Sequence, residues 1–304
     1  MSRRARRIGG ANRAMSSPIL ALLRPAQWVK NLLVFAALIF AEQLFVAGSL
    51  VRSLLAFASF CCLASAAYVL NDIRDAEADR RHPLKRLRPL PAGTVSRSTA
   101  AVLGSGLAVA AFAVAAPLGP AFLLTALGYV ALQFAYSLAL KHLVILDVMA
   151  IAAGFVLRAV AGAVAIDVYI SPWLIICTFL LALFLGFGKR RHEILLLEEG
   201  AGAHRPTLRE YSPYFLDQMI SVVTASTVVA YAIYTVSPEV REKLGTDSLY
   251  LTIPFVLYGI FRYLYLVHQR EGGGNPTQQL LTDRPLWLNI LFWIGTAVWL
   301  LYVH

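Results

Sequence analysis

The run Asn71-Asp72-Ile73-Arg74-Asp75-Ala76-Glu77-Ala78-Asp79 places four acids within nine residues. On a helix that advances about 100° per residue, Asp72, Asp75 and Asp79 fall within about 60° of one another, and Glu77 falls on the other side. Three carboxylates on one face repel. A hard divalent cation offsets that repulsion, and Mg2+ binds through a few carboxylates together with substrate phosphates. A solvated helix end balanced by Arg74, Arg80 and Arg81 accounts for the pattern less well, because acids at a helix C-terminus oppose the macrodipole. His82-Pro83-Leu84-Lys85-Arg86-Leu87-Arg88-Pro89-Leu90-Pro91-Ala92-Gly93 follows directly. Pro83 is expected to end the helix, and the prolines hold Lys85, Arg86 and Arg88 on a stiff loop. Carboxylates for a metal beside cations for phosphate make a diphosphate site.

A second basic stretch reads Gly186-Phe187-Gly188-Lys189-Arg190-Arg191-His192-Glu193 and continues to His204-Arg205-Pro206-Thr207-Leu208-Arg209-Glu210-Tyr211. Lys189, Arg190 and Arg191 suit phosphate binding, or serve only as charges that stop a membrane span. Arg205 and Arg209 lie four apart and can share a helical face. Tyr136 and Lys141 close one apolar block, and Asp147 opens the next on the same side. Arg158 follows eleven residues on, about 16 Å deeper at 1.5 Å per residue. A charge at such depth marks a functional site by default. Its structural alternative is pairing with a buried carbonyl or acid.

These residues need a scaffold, and composition supplies its class. Of 304 residues, 59% are hydrophobic and 14% charged, against about 25% charged in soluble domains. Apolar blocks approach the roughly 20 residues that a bilayer-spanning helix needs. The reading is all-α: a polytopic membrane protein of nine spans, near 29–48, 51–70, 99–116, 120–139, 147–166, 171–188, 216–236, 249–267 and 286–303. Gly48–Ser49 is expected to form a tight hairpin between the first two. Residues 1–18 form a basic tail, expected to be disordered, and 19–304 a single domain. Of the 27 Lys and Arg, 23 fall on the segments facing one side, 3 on the other, and Arg158 inside a span. The positive-inside rule then places the N-terminus and both basic loops in the cytoplasm. This asymmetry accounts for the net charge of +10 without a nucleic-acid partner, and a basic inner surface can also hold anionic lipid. Cys61, Cys62 and Cys177 read as core residues. Trp28, Trp173 and Trp287 read as interfacial anchors. A metal, a diphosphate and a lipid environment together point to a transferase acting on a polyprenyl lipid. A transporter for a phosphorylated solute would instead line a path through several spans with polar residues.

Asn71, Asp72, Asp75 and Asp79 match the pattern N-D-x-x-D-x-x-x-D at every position, and from about Ile19 onward the chain resembles the UbiA superfamily of intramembrane prenyltransferases. The resemblance implies a nine-helix bundle in which Asp72, Asp75 and Asp79 are catalytic and hold Mg2+ on a diphosphate, while Asn71 contacts substrate. Where typical members carry a second D-x-x-x-D motif, this chain has Lys189-Arg190-Arg191-His192-Glu193, which suits a substrate with more phosphate charge. Four segments resemble one branch of the superfamily: Arg24-Pro25-Ala26-Gln27-Trp28-Val29-Lys30-Asn31, His82–Pro89, Tyr136-Ser137-Leu138-Ala139-Leu140-Lys141 and Gly154-Phe155-Val156-Leu157-Arg158. That branch takes phosphoribosyl diphosphate as donor and a polyprenyl (decaprenyl) phosphate as acceptor, feeding cell-wall arabinan synthesis in a bacterial inner membrane. The likeness implies that Lys85, Arg86, Arg88, Lys189, Arg190 and Arg191 bind the donor's phosphates, that Lys30, Lys141 and Arg158 steer the lipid phosphate, and that Tyr136 binds substrate. Prenyl transfer to an aromatic or tetrapyrrole acceptor stays open as the ordinary chemistry of the superfamily. A homo-oligomer is also left open.

Overall fold

The computed structural model of the chain describes residues 17–80, 85–198, 208, 210–269 and 276–303. The expectations for the N-terminal tail up to residue 16, for the helix stop at Pro83, and for Arg205 and Arg209 fall outside them. Among the described residues all regular structure is helical.

The first apolar segment differs from the expected regular span. A short helix α1, Pro18–Leu23, ends at Arg24, whose backbone is left-handed at φ 53°. Pro25–Phe35 then winds as a 3-10 helix and continues into α2, Ala36–Phe40. The turn lies at residues 41–46, not at Gly48–Ser49, which belong to the first turn of α3, Ala47–Arg80. The polar pair Glu42-Gln43 makes the turn, and the Ser49 hydroxyl donates to the Gln43 side chain at 3.0 Å. The half-buried Trp28 donates its indole N–H to Ser65 Oγ at 3.0 Å.

The remaining helices are α4 (Arg97–Ala115), α5 (Pro120–Leu138), α6 (Leu146–Ala165), α7 (Pro172–Glu198), α8 (Pro213–Val236), α9 (Pro238–Leu244), α10 (Ile253–Gln269), α11 (Pro276–Thr282) and α12 (Arg284–Tyr302). Eight helical stretches among the described residues are long and apolar enough to cross a membrane, and Pro25–Phe40 is a ninth, shorter apolar one. Large apolar side chains such as Val102, Val109, Leu124 and Phe292 lie on the outside, as they do when the solvent is lipid. The protein is a multi-pass membrane protein.

Contacts fix which helix ends share a side. At one end, Lys141 reaches Asp75, Arg190 reaches Asp147, and Arg191 and His268 meet at Asp217. At the other, Arg52 donates to Ala165 O at 2.5 Å and Leu118 O at 3.2 Å. Tyr302 there accepts from Leu44 N–H at 3.1 Å. The acidic motif and the 189–191 cluster therefore occupy the same end of the bundle, and the C-terminus of α12 occupies the opposite one.

Two features secure this arrangement. The 3-10 segment lies directly on α6, because Gly162 leaves no room for a side chain: a Cβ there would stand 2.0 Å from the Val34 carbonyl oxygen. Gly162→Ala is expected to cost about 1–3 kcal/mol, read as a lower unfolding temperature in detergent. At the α10–α12 corner, Asp283 takes a fork from Arg262 at 2.8 and 3.1 Å and caps α12 through Leu286 N–H at 3.0 Å. The Arg262 guanidinium, with the Leu286 N–H, holds the Asp283 carboxyl below its ordinary range. Its stabilisation is therefore present above that ordinary range and lost as pH falls through the lowered value. Asp283→Ala is expected to cost about 1 kcal/mol, chiefly through the lost cap. Unfolding curves at neutral and acid pH check this, since the difference from the parent should shrink in acid.

Candidate active site

α3 carries the acidic motif because it is too long for the membrane. Its 34 residues span about 51 Å at 1.5 Å each, against a hydrocarbon core of about 30 Å. The last turns therefore stand at the rim, where carboxylates meet both water and the loop cations.

There the aspartates part company. Asp72 is 3% exposed and Asp79 4%. Arg88 Nη1 bridges them, 3.3 Å from Asp72 Oδ1 and 2.6 Å from Asp79 Oδ2. Arg24 Nη2 lies 2.5 Å from Asp72 Oδ1, and Lys85 Nζ lies 3.9 Å from Asp79 Oδ1. The side chain of Asp75 is 46% exposed and meets Lys141 Nζ at 3.4 Å. Glu77 points away, as helical spacing requires, and takes Arg80 at 3.1 Å and Arg97 at 2.6 Å. Asn71 Oδ1 accepts from the Ser137 hydroxyl, next to Tyr136. Arg86 is exposed and forms no ion pair among the described residues.

Inside the bundle a second polar group surrounds Arg158. Its Nε donates to Asn31 Oδ1 at 2.7 Å, its Nη1 to Gly154 O at 2.6 Å and its Nη2 to Tyr129 OH at 2.8 Å. The rings of Tyr129 and Phe155 lie 4.8 and 5.4 Å from its guanidinium carbon. Asn31 Nδ2 reaches Cys61 Sγ at 3.3 Å. No carboxylate of the described residues pairs with this buried guanidinium; neutral dipoles and ring faces hold it. Lys30 lies within electrostatic reach of Arg158, Arg24 and Tyr136, which joins this group to the acidic rim.

The second basic cluster is divided in the same way. Arg190 is 1% exposed; its Nε lies 2.7 Å from Asp147 Oδ2 and its Nη1 2.6 Å from Glu193 Oε2, while its Nη2 has no partner. Lys189 pairs with Glu193 at 3.5 Å. Arg191 turns outward to Asp217 at 2.5 Å. Tyr211 donates to Asp147 Oδ1 at 2.8 Å and accepts from Ile145 N–H at 2.6 Å. This holds Ile145 at φ 68°, a conformation that is an outlier for a β-branched residue. Burial above all pushes the Tyr211 phenol above its ordinary range, so it remains a donor to Asp147.

Sequence reasoning missed three of these participants. Tyr129 carries no motif, and Arg24 and Asn31 enter only as the two ends of one motif segment. A cation at the edge of the first span reads as a topology charge, and a tyrosine inside an apolar helix reads as core.

No three Asp, Glu, His or Cys side chains of the described residues converge as a closed metal site. The fit to Mg2+ rests on less: two buried carboxylates already share a single cationic nitrogen, that of Arg88, and supply hard oxygen acceptors only. Mg2+ needs one or two carboxylates when phosphates complete its shell, so these residues fit it.

The model of the UbiA prenyltransferase family matches residues 31–291. The decaprenyl-phosphate phosphoribosyltransferase of Mycolicibacterium smegmatis is 34% identical over 97% of this chain and 96% of its own length. The Corynebacterium glutamicum protein of the same name is 34% identical over 95% of this chain and 88% of its own. Among solved structures, a UbiA homolog from Archaeoglobus fulgidus bound to GPP and Mg2+ superimposes with a TM-score of 0.71, covering 94% of this chain and 99% of that one at 21% identity. With a family match across most of its length, full-length relatives and a shared helical architecture, this chain belongs to the UbiA prenyltransferase family.

Proposed function

We propose that the protein transfers the 5-phosphoribosyl group from phosphoribosyl diphosphate to a polyprenyl phosphate such as decaprenyl phosphate, releasing diphosphate. The carrying observation is the set of cations around one rim: Arg24, Lys85 and Arg88 on the buried aspartates, with Lys30 and Arg158 behind them. Two relatives that match over nearly their whole length bear the name of this activity. The reaction breaks the bond between ribose C1 and the diphosphate oxygen and forms one between C1 and an oxygen of the lipid phosphate. A phosphate dianion is already a nucleophile, so the protein's task is positioning and electrostatic stabilisation.

Asp72, Asp79 and, from the rim, Asp75 would hold Mg2+, which when bound neutralises charge on the departing diphosphate. Lys85, Arg86, Arg88, Lys189 and Arg190 would together hold the donor's phosphates, and Asn71 with Tyr136 would contact substrate. Lys30, Lys141 and Arg158 draw the lipid phosphate in from the bilayer. Arg191, turned to Asp217, would act by positioning α7 against α8. The site opens to the cytoplasmic side of a bacterial inner membrane.

Purified protein incubated with Mg2+, decaprenyl phosphate and phosphoribosyl diphosphate should yield a phosphoribosylated lipid by mass spectrometry, and EDTA should abolish it. No product from this pair, with diphosphate released from a prenyl diphosphate and an aromatic acceptor, would reassign the reaction.

A further inference from the structure

Arg24 and Arg88 occupy one oxygen of each of the two buried aspartates to which the metal reading assigns the ion. Asp72 Oδ1 takes Arg24 Nη2 at 2.5 Å and Arg88 Nη1 at 3.3 Å, and Asp79 Oδ2 takes Arg88 Nη1 at 2.6 Å. The two carboxylate side chains are 4% and 6% exposed, whereas those of Arg24 and Arg88 are 27% and 33% exposed. The acids are fixed in the protein, and the bases reach them from the water side.

A guanidinium and a divalent ion cannot hold the same lone pairs. An ion arriving alone would have to expel two arginines, leaving them beside a new double positive charge with no acid of their own. An ion arriving with a diphosphate brings the anion that the expelled arginines can grip, and planar guanidinium groups match phosphate oxygens well. A buried carboxylate is costly to leave unpaired, and in this exchange none is left so. Arg24 is preset for its part. The Arg24 backbone N–H caps α1 through Leu20 O at 3.2 Å, and its left-handed backbone, with φ 53° and ψ 57° ahead of Pro25, aims the side chain over the Tyr68 ring at 5.0 Å.

We infer that Arg24 and Arg88 are exchange cations, which hold Asp72 and Asp79 against bare metal ions and pass to the phosphates when metal and diphosphate enter together. The inference rests on the metal–diphosphate reading above and adds an order to it: metal binding is conditional on the diphosphate. Conditional binding is a coupling between two ligands, and such couplings commonly amount to about 5–150-fold in affinity.

The test is Mn2+ binding to the full-length protein in detergent, followed by the loss of the free-ion paramagnetic resonance signal, with and without inorganic diphosphate. The parent protein should bind Mn2+ weakly alone and on the order of tenfold or more tighter with diphosphate. Arg24→Gln and Arg88→Gln should each bind Mn2+ alone about tenfold tighter than the parent, bind diphosphate more weakly and lose most of the enhancement. Each single variant still leaves Asp72 and Asp79 one cation apiece, so both should fold, which unfolding curves check. Arg88→Lys keeps the charge and should restore weak binding of Mn2+ alone. Mn2+ binding by the parent that is equally tight without diphosphate overturns the exchange, as do folded Gln variants that bind Mn2+ no better than the parent. Absence of any Asp72-dependent Mn2+ binding even with diphosphate overturns the metal reading itself.

Discussion

Asp72→Asn is expected to lower turnover by roughly 10²–10³-fold, the loss typical when one preorganised electrostatic partner of a reacting group is removed. Asparagine keeps the shape of the side chain and removes its charge. Arg24 then faces a neutral amide instead of a carboxylate at 2.5 Å, while Arg88 keeps Asp79 at 2.6 Å. The fold should therefore survive, with an unfolding temperature near that of the parent. The informative comparison is Asp75→Asn. Asp75 is half-exposed and pairs with Lys141 at 3.4 Å, so its contribution to stability is small. A similar loss of turnover in Asp75→Asn would place all three aspartates on the metal–diphosphate. A loss in Asp72→Asn but not in Asp75→Asn would exclude Asp75 and favour the pair that Arg88 bridges. Unchanged turnover in Asp72→Asn would remove the aspartate motif from the chemistry altogether. Turnover with saturating donor, measured beside the unfolding curve, separates these results.

Asp147→Ala should produce the largest loss of stability. Arg190 is 1% exposed and its Nε depends on Asp147 Oδ2 at 2.7 Å. Without that carboxylate a buried guanidinium keeps only Glu193, and its Nη2 already lacks a partner. Breaking a buried pair from one side costs about 3–5 kcal/mol. Tyr211 would lose its acceptor as well, which loosens the hydroxyl that accepts from Ile145 N–H at 2.6 Å. The double variant Asp147→Leu with Arg190→Met should regain much of the loss, because a well-packed apolar pair replaces the ionic one without an orphaned charge. Thermal unfolding of parent, single and double variants decides the matter. A double variant as unstable as the single one would mean that Asp147 stabilises through Tyr211 alone. Retained transfer activity in a folded double variant would remove Arg190 from phosphate binding.

The acidic face was legible in the sequence because helical periodicity is local. Residues 72, 75 and 79 share a face, and Glu77 opposes them, whatever else the chain does. The orientation of Asp75 was not legible. It lies toward the edge of that face, and only the position of Lys141, in the turn just beyond the C-terminus of α5, decided that it would meet a lysine. The depth of Arg158 followed from counting along one helix. Its partners did not, because Asn31 lies 127 residues away in the chain and reaches Arg158 only where Gly162 lets the 3-10 segment settle on α6. The turn at residues 41–46 was misread for a related reason. Gly48-Ser49 looks like a break, yet glycine in the first turn of a helix costs little, and the polar Glu42-Gln43 pair could leave the membrane more cheaply.

The sequence by itself determined the solvent of this protein, its all-helical class and the shared face of its aspartates. All of these follow from composition, hydropathy and the pitch of a single helix. Tertiary structure alone decided which cation holds which acid. Arg24 meets Asp72 across 48 residues of chain and Arg190 meets Asp147 across 43. An ion pair exists only within about 4 Å, and separations that small are set by how whole helices pack, which no local pattern encodes.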